Sequence, residues 1–248
     1  MRRRLLLNLG TRLGMQASMH RPTRRPGPAI SSIFGMTFAL AALSGCGGSG
    51  KVTIVATQML ETMMENPLPT RAEVTDVSTA ALSRVDSLML SGETAAGKFP
   101  VETVAMMDRI IRMAERNLEE DIVSVPHSEH IALTCEAGLY LSLSAGAKAL
   151  ITISTHGSTP RILSSYRGNI PIVVACTRPD IFHRATLYYS VYPLLIEPVR
   201  KSETVFRKIE MELKSRKLVK RGDVLVFVFG YPIHGKNRTN TIRRWEVG

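Results

Sequence analysis

Val52-Thr53-Ile54-Val55-Ala56-Thr57-Gln58-Met59-Leu60-Glu61, followed by Pro69-Thr70-Arg71-Ala72-Glu73-Val74-Thr75-Asp76-Val77, decides how the rest of this chain is read. Residues 52–57 form a β-branched apolar run of strand length. Gln58 to Met64 predicts a short helix that Asn66-Pro67-Leu68-Pro69 must end, because proline lacks the donor a helix needs. Thr70 and Glu73 stand at capping-box spacing: the hydroxyl reaches the third helical N–H and the carboxylate reaches back. A helix should therefore run from Arg71 to about Ser83. Ser87-Leu88-Met89-Leu90 is a second short buried strand, closed by Ser91-Gly92-Glu93-Thr94. Pro100 sits where the next helix begins, and Val101, Val104, Ala105, Met107, Ile110, Ile111 and Met113 form its apolar stripe.

Beyond a hinge near 123–128 the rhythm restarts. Helices are expected at 131–148, 160–166, 180–187 and 203–217, and strands at 149–154, 171–176, 192–197, 224–230 and 240–247. Strands alternating with helices imply βα units and a mostly parallel sheet, here five-stranded, with the last hairpin antiparallel. The body is α/β and divides near residue 125.

The chain has 248 residues, 44% of them apolar, and a net charge of +11. The location of that charge matters more than its size. Residues 1–50 hold seven arginines, no lysine and no acid; removing those seven leaves +4 on the remainder. No basic stripe interleaved with aromatics runs through residues 51–248, so nucleic acid is not an expected partner. Three scattered cysteines (Cys46, Cys135, Cys176) make no disulfide framework and point to a reducing, cytoplasmic setting. His127, His130, His183 and His234 have no metal-ligand spacing, and Met59, Met63, Met64, Met106 and Met107 are core or interface filler.

Residues 1–50 are a different kind of sequence. The apolar run of 33–43 is too short for a bilayer, which takes roughly 20 residues, so no membrane span is expected. It fits the apolar region of an export signal, with Leu43-Ser44-Gly45-Cys46 resembling a lipoprotein cleavage box. The arginine-rich, acid-free composition fits an organellar transit segment equally. The plainest alternative is a leader unrelated to the α/β body behind it.

The quoted stretch, joined without a gap to Met89-Leu90-Ser91-Gly92-Glu93-Thr94-Ala95, Gly97 and Phe99-Pro100, resembles the pyruvate kinase family. The resemblance begins near Cys46 or Gly50-Lys51 and reaches the last residues. It implies that residues 51–120 are the last two βα units of a (β/α)8 barrel, and that 128–248 form the family's complete carboxyl-terminal α/β domain. It implies a phosphotransferase converting phosphoenolpyruvate and ADP to pyruvate and ATP, with Mg2+ and K+ bound in the complete enzyme.

Barrel enzymes place chemistry at the carboxyl ends of strands, where Thr57-Gln58 and Ser91-Gly92-Glu93 fall. By resemblance, Thr57 with Gln58 binds phosphoenolpyruvate, Ser91 assists proton delivery to the enolate, and Glu93 supports that shell. Without the family, these residue types read as turn and cap residues. Arg71 is implied at a subunit contact, against a plain reading as a solvated arginine. The lysine and the acidic metal ligands of the family belong to earlier strands, and residues 1–50 contain no Asp or Glu to replace them. The chain is therefore expected to be truncated, to hold no metal by itself and to be inactive alone. It would act within a homo-oligomer or beside complete subunits.

A second site lies in Ser154-Thr155-His156-Gly157-Ser158-Thr159-Pro160-Arg161, where hydroxyls and a helix start suit phosphate. The family uses this loop for sugar phosphate effectors such as fructose 1,6-bisphosphate. That implies Ser154, Thr155, Gly157, Ser158 and Thr159 as effector contacts, with Lys236 and Arg238 of the last loop adding charge. The other reading is a polar turn with a capped helix.

Overall fold

The computed structural model describes residues 51–56, 58–118, 130–198, 202–233 and 239–248. Two sheets organise them. The first pairs β1 (Ile54–Val55) with β2 (Ser87–Leu88) in parallel. The second has five strands, β3 (Ala149–Ile153), β4 (Ile172–Cys176), β5 (Val191–Leu195), β6 (Val224–Phe229) and β7 (Thr241–Glu246). Its order is β5-β4-β3-β6-β7, parallel throughout except for the antiparallel β6–β7 pair. The α/β class, the five-stranded sheet and its antiparallel last hairpin all agree with the sequence reading.

The helices are α1 (Arg71–Leu82), α2 (Gly92–Ala95), α3 (Pro100–Ala114), α4 (His130–Ser144), α5 (Ser158–Ser165), α6 (Pro179–Ala185) and α7 (Ser202–Ser215); all but α2, a short turn of helix where only the close of a strand was expected, follow the expected order. The capping box of α1 forms as expected, with the Glu73 N–H donating to Thr70 Oγ1 and the Thr70 N–H donating back to Glu73 Oε2 at 2.8 Å. Glu73 does more than cap. Its carboxylate also accepts the Thr62 N–H at 2.7 Å and the Thr62 hydroxyl, fastening the loop after β1 to the helix.

The five-stranded sheet is buried on both faces, as a mostly parallel sheet must be. Ala149, Ile151, Val173, Ala175, Leu225 and Phe227 face α7, which contributes Val205, Phe206, Ile209 and Leu213. Leu150, Ile172, Val174, Val226 and Val228 face the opposite way, against α4 and α5. Helix α4 lies so close to β6 that a Cβ on Gly138 would stand 2.3 Å from Val228 Cγ2, so only glycine fits there.

Several expectations need correction around the first sheet. The strand read at 52–57 is regular only over Ile54–Val55, and that at 87–90 only over Ser87–Leu88. The helix read at 58–64 is a 3-10 turn, Glu61–Met64. Among the described residues each of these strands has one neighbour, a short ladder to hold it extended. The apolar stripe of α3 is only partly buried: Met107 and Ile110 pack against Met59, Leu60, Met63 and Val77, while Val101 is 76% exposed and Val104 and Met113 also face solvent. Elsewhere the differences are at element ends: α4 stops at Ser144, ahead of Gly146 at φ +56°, and α5 starts at Ser158, two residues ahead of Pro160.

One buried ion pair joins the two sheets. Asp86, just before β2, takes both terminal nitrogens of Arg167, at 2.5 and 2.6 Å, with the side chains 4% and 3% exposed. The same carboxylate accepts the N–H groups of Thr53 at 2.9 Å and Tyr189 at 3.0 Å. Ser87 Oγ donates to the carbonyl of Leu187 beside it. Removing one partner of a fully buried pair strands the other charge, which costs about 3–5 kcal/mol. Asp86→Ala should therefore lower the urea unfolding free energy by about that much. The double variant Asp86→Ala/Arg167→Met should recover a large part of the loss.

The chain's last strand is clamped by Glu210, which accepts from Trp245 Nε1 at 2.8 Å, from the Gly248 N–H at 3.2 Å and from Lys214. Burial pushes the carboxyl of Glu210 up, but the bonds from Lys214 and Trp245 outweigh it and hold the group below the ordinary value. Glu73 is held low in the same way, burial being overcome by Thr62 and Thr70. A carboxyl depressed by folding stabilises above its unfolded pKa, roughly 4.3, and that contribution disappears as pH falls through the folded value. Urea midpoints should thus drop on acidification below about pH 4, and Glu210→Gln should flatten that slope while lowering the neutral-pH midpoint.

Candidate functional site

The carboxyl ends of β1 and β2 lie side by side, as their register Val55 to Leu88 requires. Of the residues expected here, Thr57 lies outside the described residues. Gln58 is exposed and has φ +33°. Ser91 is also exposed, directly ahead of α2. Glu93 is 4% exposed, and its two oxygens accept the Ser91 N–H at 2.7 Å and the Leu60 N–H at 3.4 Å. It therefore ties the loop after β1 to the loop after β2. Arg71 is exposed at the first position of α1.

The donor set at these ends does not fit a divalent cation. Mg2+ takes carboxylate and water oxygens in a near-octahedral shell. Glu93 is bound by backbone donors, Glu73 by two threonines and Asp86 by Arg167. Among the described residues no group of three His, Cys, Asp or Glu side chains comes together.

The five-stranded sheet offers a second location. Its order reverses between β3 and β6: the chain leaves β3 for β4 on one side and returns from β5 to β6 on the other. Crevices outside the carboxyl ends of strands at such a reversal are where open α/β sheets bind ligands. The turn after β3 is 154–157, leading into α5 at Ser158, and the described residues 230–233 and 239–240 lie between β6 and β7, so both flank the crevice.

Local chemistry shapes the first loop. Ser154 is buried and its Oγ accepts the Gly157 N–H at 2.9 Å. Gly157 adopts φ +85°, a conformation open to glycine, and turns the chain into α5. Thr155 and His156 are exposed and bonded to each other through Oγ1 and Nδ1 at 2.8 Å. Ser158 is exposed at the start of α5, where no side chain caps the helix, and Pro160 contributes no N–H to its first turn. Thr159 is buried, and its hydroxyl meets that of Thr239 at 2.7 Å. This bond joins the two loops across the crevice. Sequence reasoning missed Thr239; only its place in the last loop could have suggested it. Lys236 and Arg238 lie outside the described residues.

Beside this crevice a cavity of about 390 Å³ opens between the start of α7 and strands β6 and β7. Asn240 braces the backbone of Tyr231, one of its lining residues, accepting the Tyr231 N–H at 2.8 Å and donating to the Tyr231 carbonyl at 3.1 Å. A smaller cavity of about 230 Å³ lies between the sheets, lined by Asp86, Asp108, Tyr188 and Ser190 among others. No described helix is long and apolar enough to cross a membrane.

Two profiles of one family match this architecture in sequence order. The pyruvate kinase barrel domain matches residues 36–104, beginning within the stretch set apart above by composition. The pyruvate kinase alpha/beta domain matches residues 132–243. Pyruvate kinase 2 of Saccharomyces cerevisiae is 36% identical over 222 residues, which cover 83% of this chain and 43% of that protein. A pyruvate kinase of Thermotoga maritima is 38% identical over 204 residues, covering 79% and 42%. The crystal structure of a pyruvate kinase from Cryptosporidium parvum superimposes with a TM-score of 0.77 at 30% identity, over 84% of this chain and 42% of that one. The chain thus spans about two fifths of the length of these relatives. With both domain types matched in order and the fold shared, the chain belongs to the pyruvate kinase family.

Proposed function

We propose that this chain carries the effector-binding half of a pyruvate kinase and does not transfer a phosphoryl group by itself. The complete reaction takes phosphoenolpyruvate and ADP to pyruvate and ATP, and phosphoryl transfer relies on positioning and charge neutralisation by cations. In this reading Thr57 and Gln58 face the substrate carboxylate, Ser91 assists proton delivery, and Glu93 positions Ser91 through its backbone. The Mg2+ and K+ of the family would be held by side chains other than those described, since the carboxylates at these strand ends are already committed.

The observation that carries the reading is the contrast between the two sheets. The strands of the first sheet are two residues long, with one neighbour each among the described residues. The five-stranded sheet has a crevice at its reversal point, with Ser154, Gly157 and the Thr159–Thr239 bond shaping it. That crevice suits a phosphorylated effector: Ser158 and Thr155 offer hydroxyls, and the open first turn of α5 offers N–H groups.

A coupled pyruvate-release assay on the purified chain with Mg2+ and K+ should stay at background. Turnover at a rate typical of kinases would overturn the proposal. Calorimetry with sugar phosphates should show binding that Ser158→Ala/Thr159→Ala removes without loss of the folded signal.

The exposed Ile54, Met89, Val101 and Val104 around the first sheet favour a partner subunit, another copy or a complete relative, in the assembled state. Sedimentation should show self-association, or joint sedimentation with a complete family member; a stable monomer under both conditions would count against it.

A further inference from the structure

The cavity between the two sheets and the stretch 20–28 carry opposite charge and matching chemistry. The cavity measures about 230 Å³, below the roughly 300–1,000 Å³ of small-molecule sites, so it suits side chains better than a metabolite. Asp86, Asp108 and Glu115 line it together with Tyr188, Tyr189 and Tyr192, and no lysine, arginine or histidine is among its described lining residues. Asp86 is neutralised by Arg167. Asp108 accepts from Arg112 Nε at 2.7 Å, and its side chain remains 45% exposed. Arg161 and Arg184 stand near Tyr188 without lining the cavity. Tyr188 and Tyr192 are 7% and 6% exposed, so packing holds their rings in place. Past Glu115 and the exposed Arg116, residues 117–129 add four acids, Glu119, Glu120, Asp121 and Glu129, and no lysine or arginine.

Residues 1–50 supply the complement. Their seven arginines have no acid among them, and Arg21, Arg24 and Arg25 alternate with Pro22, Pro26 and Pro28. Proline at this density favours an extended polyproline conformation, the form that aromatic-lined grooves recognise. Arginine in turn pairs with carboxylates and stacks on aromatic faces. We propose that the stretch 20–28 straps across this cavity within the same molecule, seating Arg24 and Arg25 against Asp108, Glu115 and the tyrosines. Reach allows it. The 26 residues between Arg25 and Val52 extend to roughly 80 Å, and the cavity is lined by Ser87 and Leu88 of β2, the hydrogen-bonded neighbour of β1. Tethering raises the local concentration of the strap, so a modest affinity suffices. Asp108 lies on α3, whereas Tyr192 lies on β5. A seated arginine therefore ties the two sheets a second time, beside Asp86 and Arg167. The Arg2-Arg3-Arg4 cluster runs into leucines, not prolines, and has no part in the strap.

The test uses the full chain with Thr23 replaced by photoreactive benzoylphenylalanine. Irradiation should give an intramolecular cross-link to peptides holding residues 108–115 or 186–192. Arg24→Ser/Arg25→Ser should cut its yield about tenfold, the scale of one lost charge-assisted contact, and speed amide exchange across 186–192. Arg2→Ser/Arg3→Ser/Arg4→Ser should change neither. Asp108→Asn/Glu115→Gln should lower the yield in the same way. The leader substitutions alter no described residue, so their outcome stands whether or not that acidic variant folds. A purified chain whose intact mass lacks residues 1–28 overturns the proposal, since the stretch is then cleaved off. A cross-link elsewhere on the body, one formed only between two molecules, or a yield indifferent to Arg24→Ser/Arg25→Ser overturns it as well. None of these outcomes bears on the effector reading, which concerns the other end of the five-stranded sheet's chemistry.

Discussion

The buried contact between Asp86 and Arg167 is the constraint on which the rest of this molecule hangs. A carboxylate taken out of water must have every lone pair engaged, or the cost of burial exceeds the attraction. Asp86 meets that demand with donors from three places: Thr53 beside β1, Tyr189 ahead of β5, and the guanidinium of Arg167 after α5. Arg167 also lies over the ring of Tyr189 at 5.4 Å. Its backbone sits at φ +53°, a left-handed conformation that costs a non-glycine residue roughly 1–2 kcal/mol. That conformation turns the chain out of α5, and the ion pair fixes where its side chain goes. The geometry of the two sheets relative to one another follows from this joint.

The two sheets differ in how far they are self-sufficient. The five-stranded sheet has helices on both faces, a continuous apolar core on each side, and edges finished by β5 and β7. The two-stranded sheet has a cluster of six buried residues beneath α1 and α3, and large apolar side chains left in solvent. Burial is what stabilises a βα unit, because the parallel strand pair contributes little alone. The part with a finished core offers a preorganised crevice, whereas the strand ends of the other part use their carboxylates to hold loops together.

Much of this was readable along the chain. The Thr70–Glu73 capping box, the start of α3 at Pro100 and the alternation that makes five strands are all local signals, decided within a few residues. The family resemblance rests on a similarly local run. The lengths of β1 and β2 were not readable, because a strand stays extended only where a neighbour accepts its hydrogen bonds, and β1 has one partner among the described residues. The outward side of α3 looked like core for the same reason: periodicity marks an apolar face but not what covers it.

The sequence by itself determined the class of fold, the order of its main elements and the family. These depend on short-range rules of propensity, capping and turn chemistry. Only the tertiary structure decided which distant residues act together. Asp86 and Arg167 are 81 residues apart, Thr159 and Thr239 are 80, and Glu203 and Arg243 are 40. No local pattern encodes such pairs, because each is chosen by the packing of helices on a sheet. That packing also set Arg243 beside Glu203 and over the rings of Phe206 and Trp245.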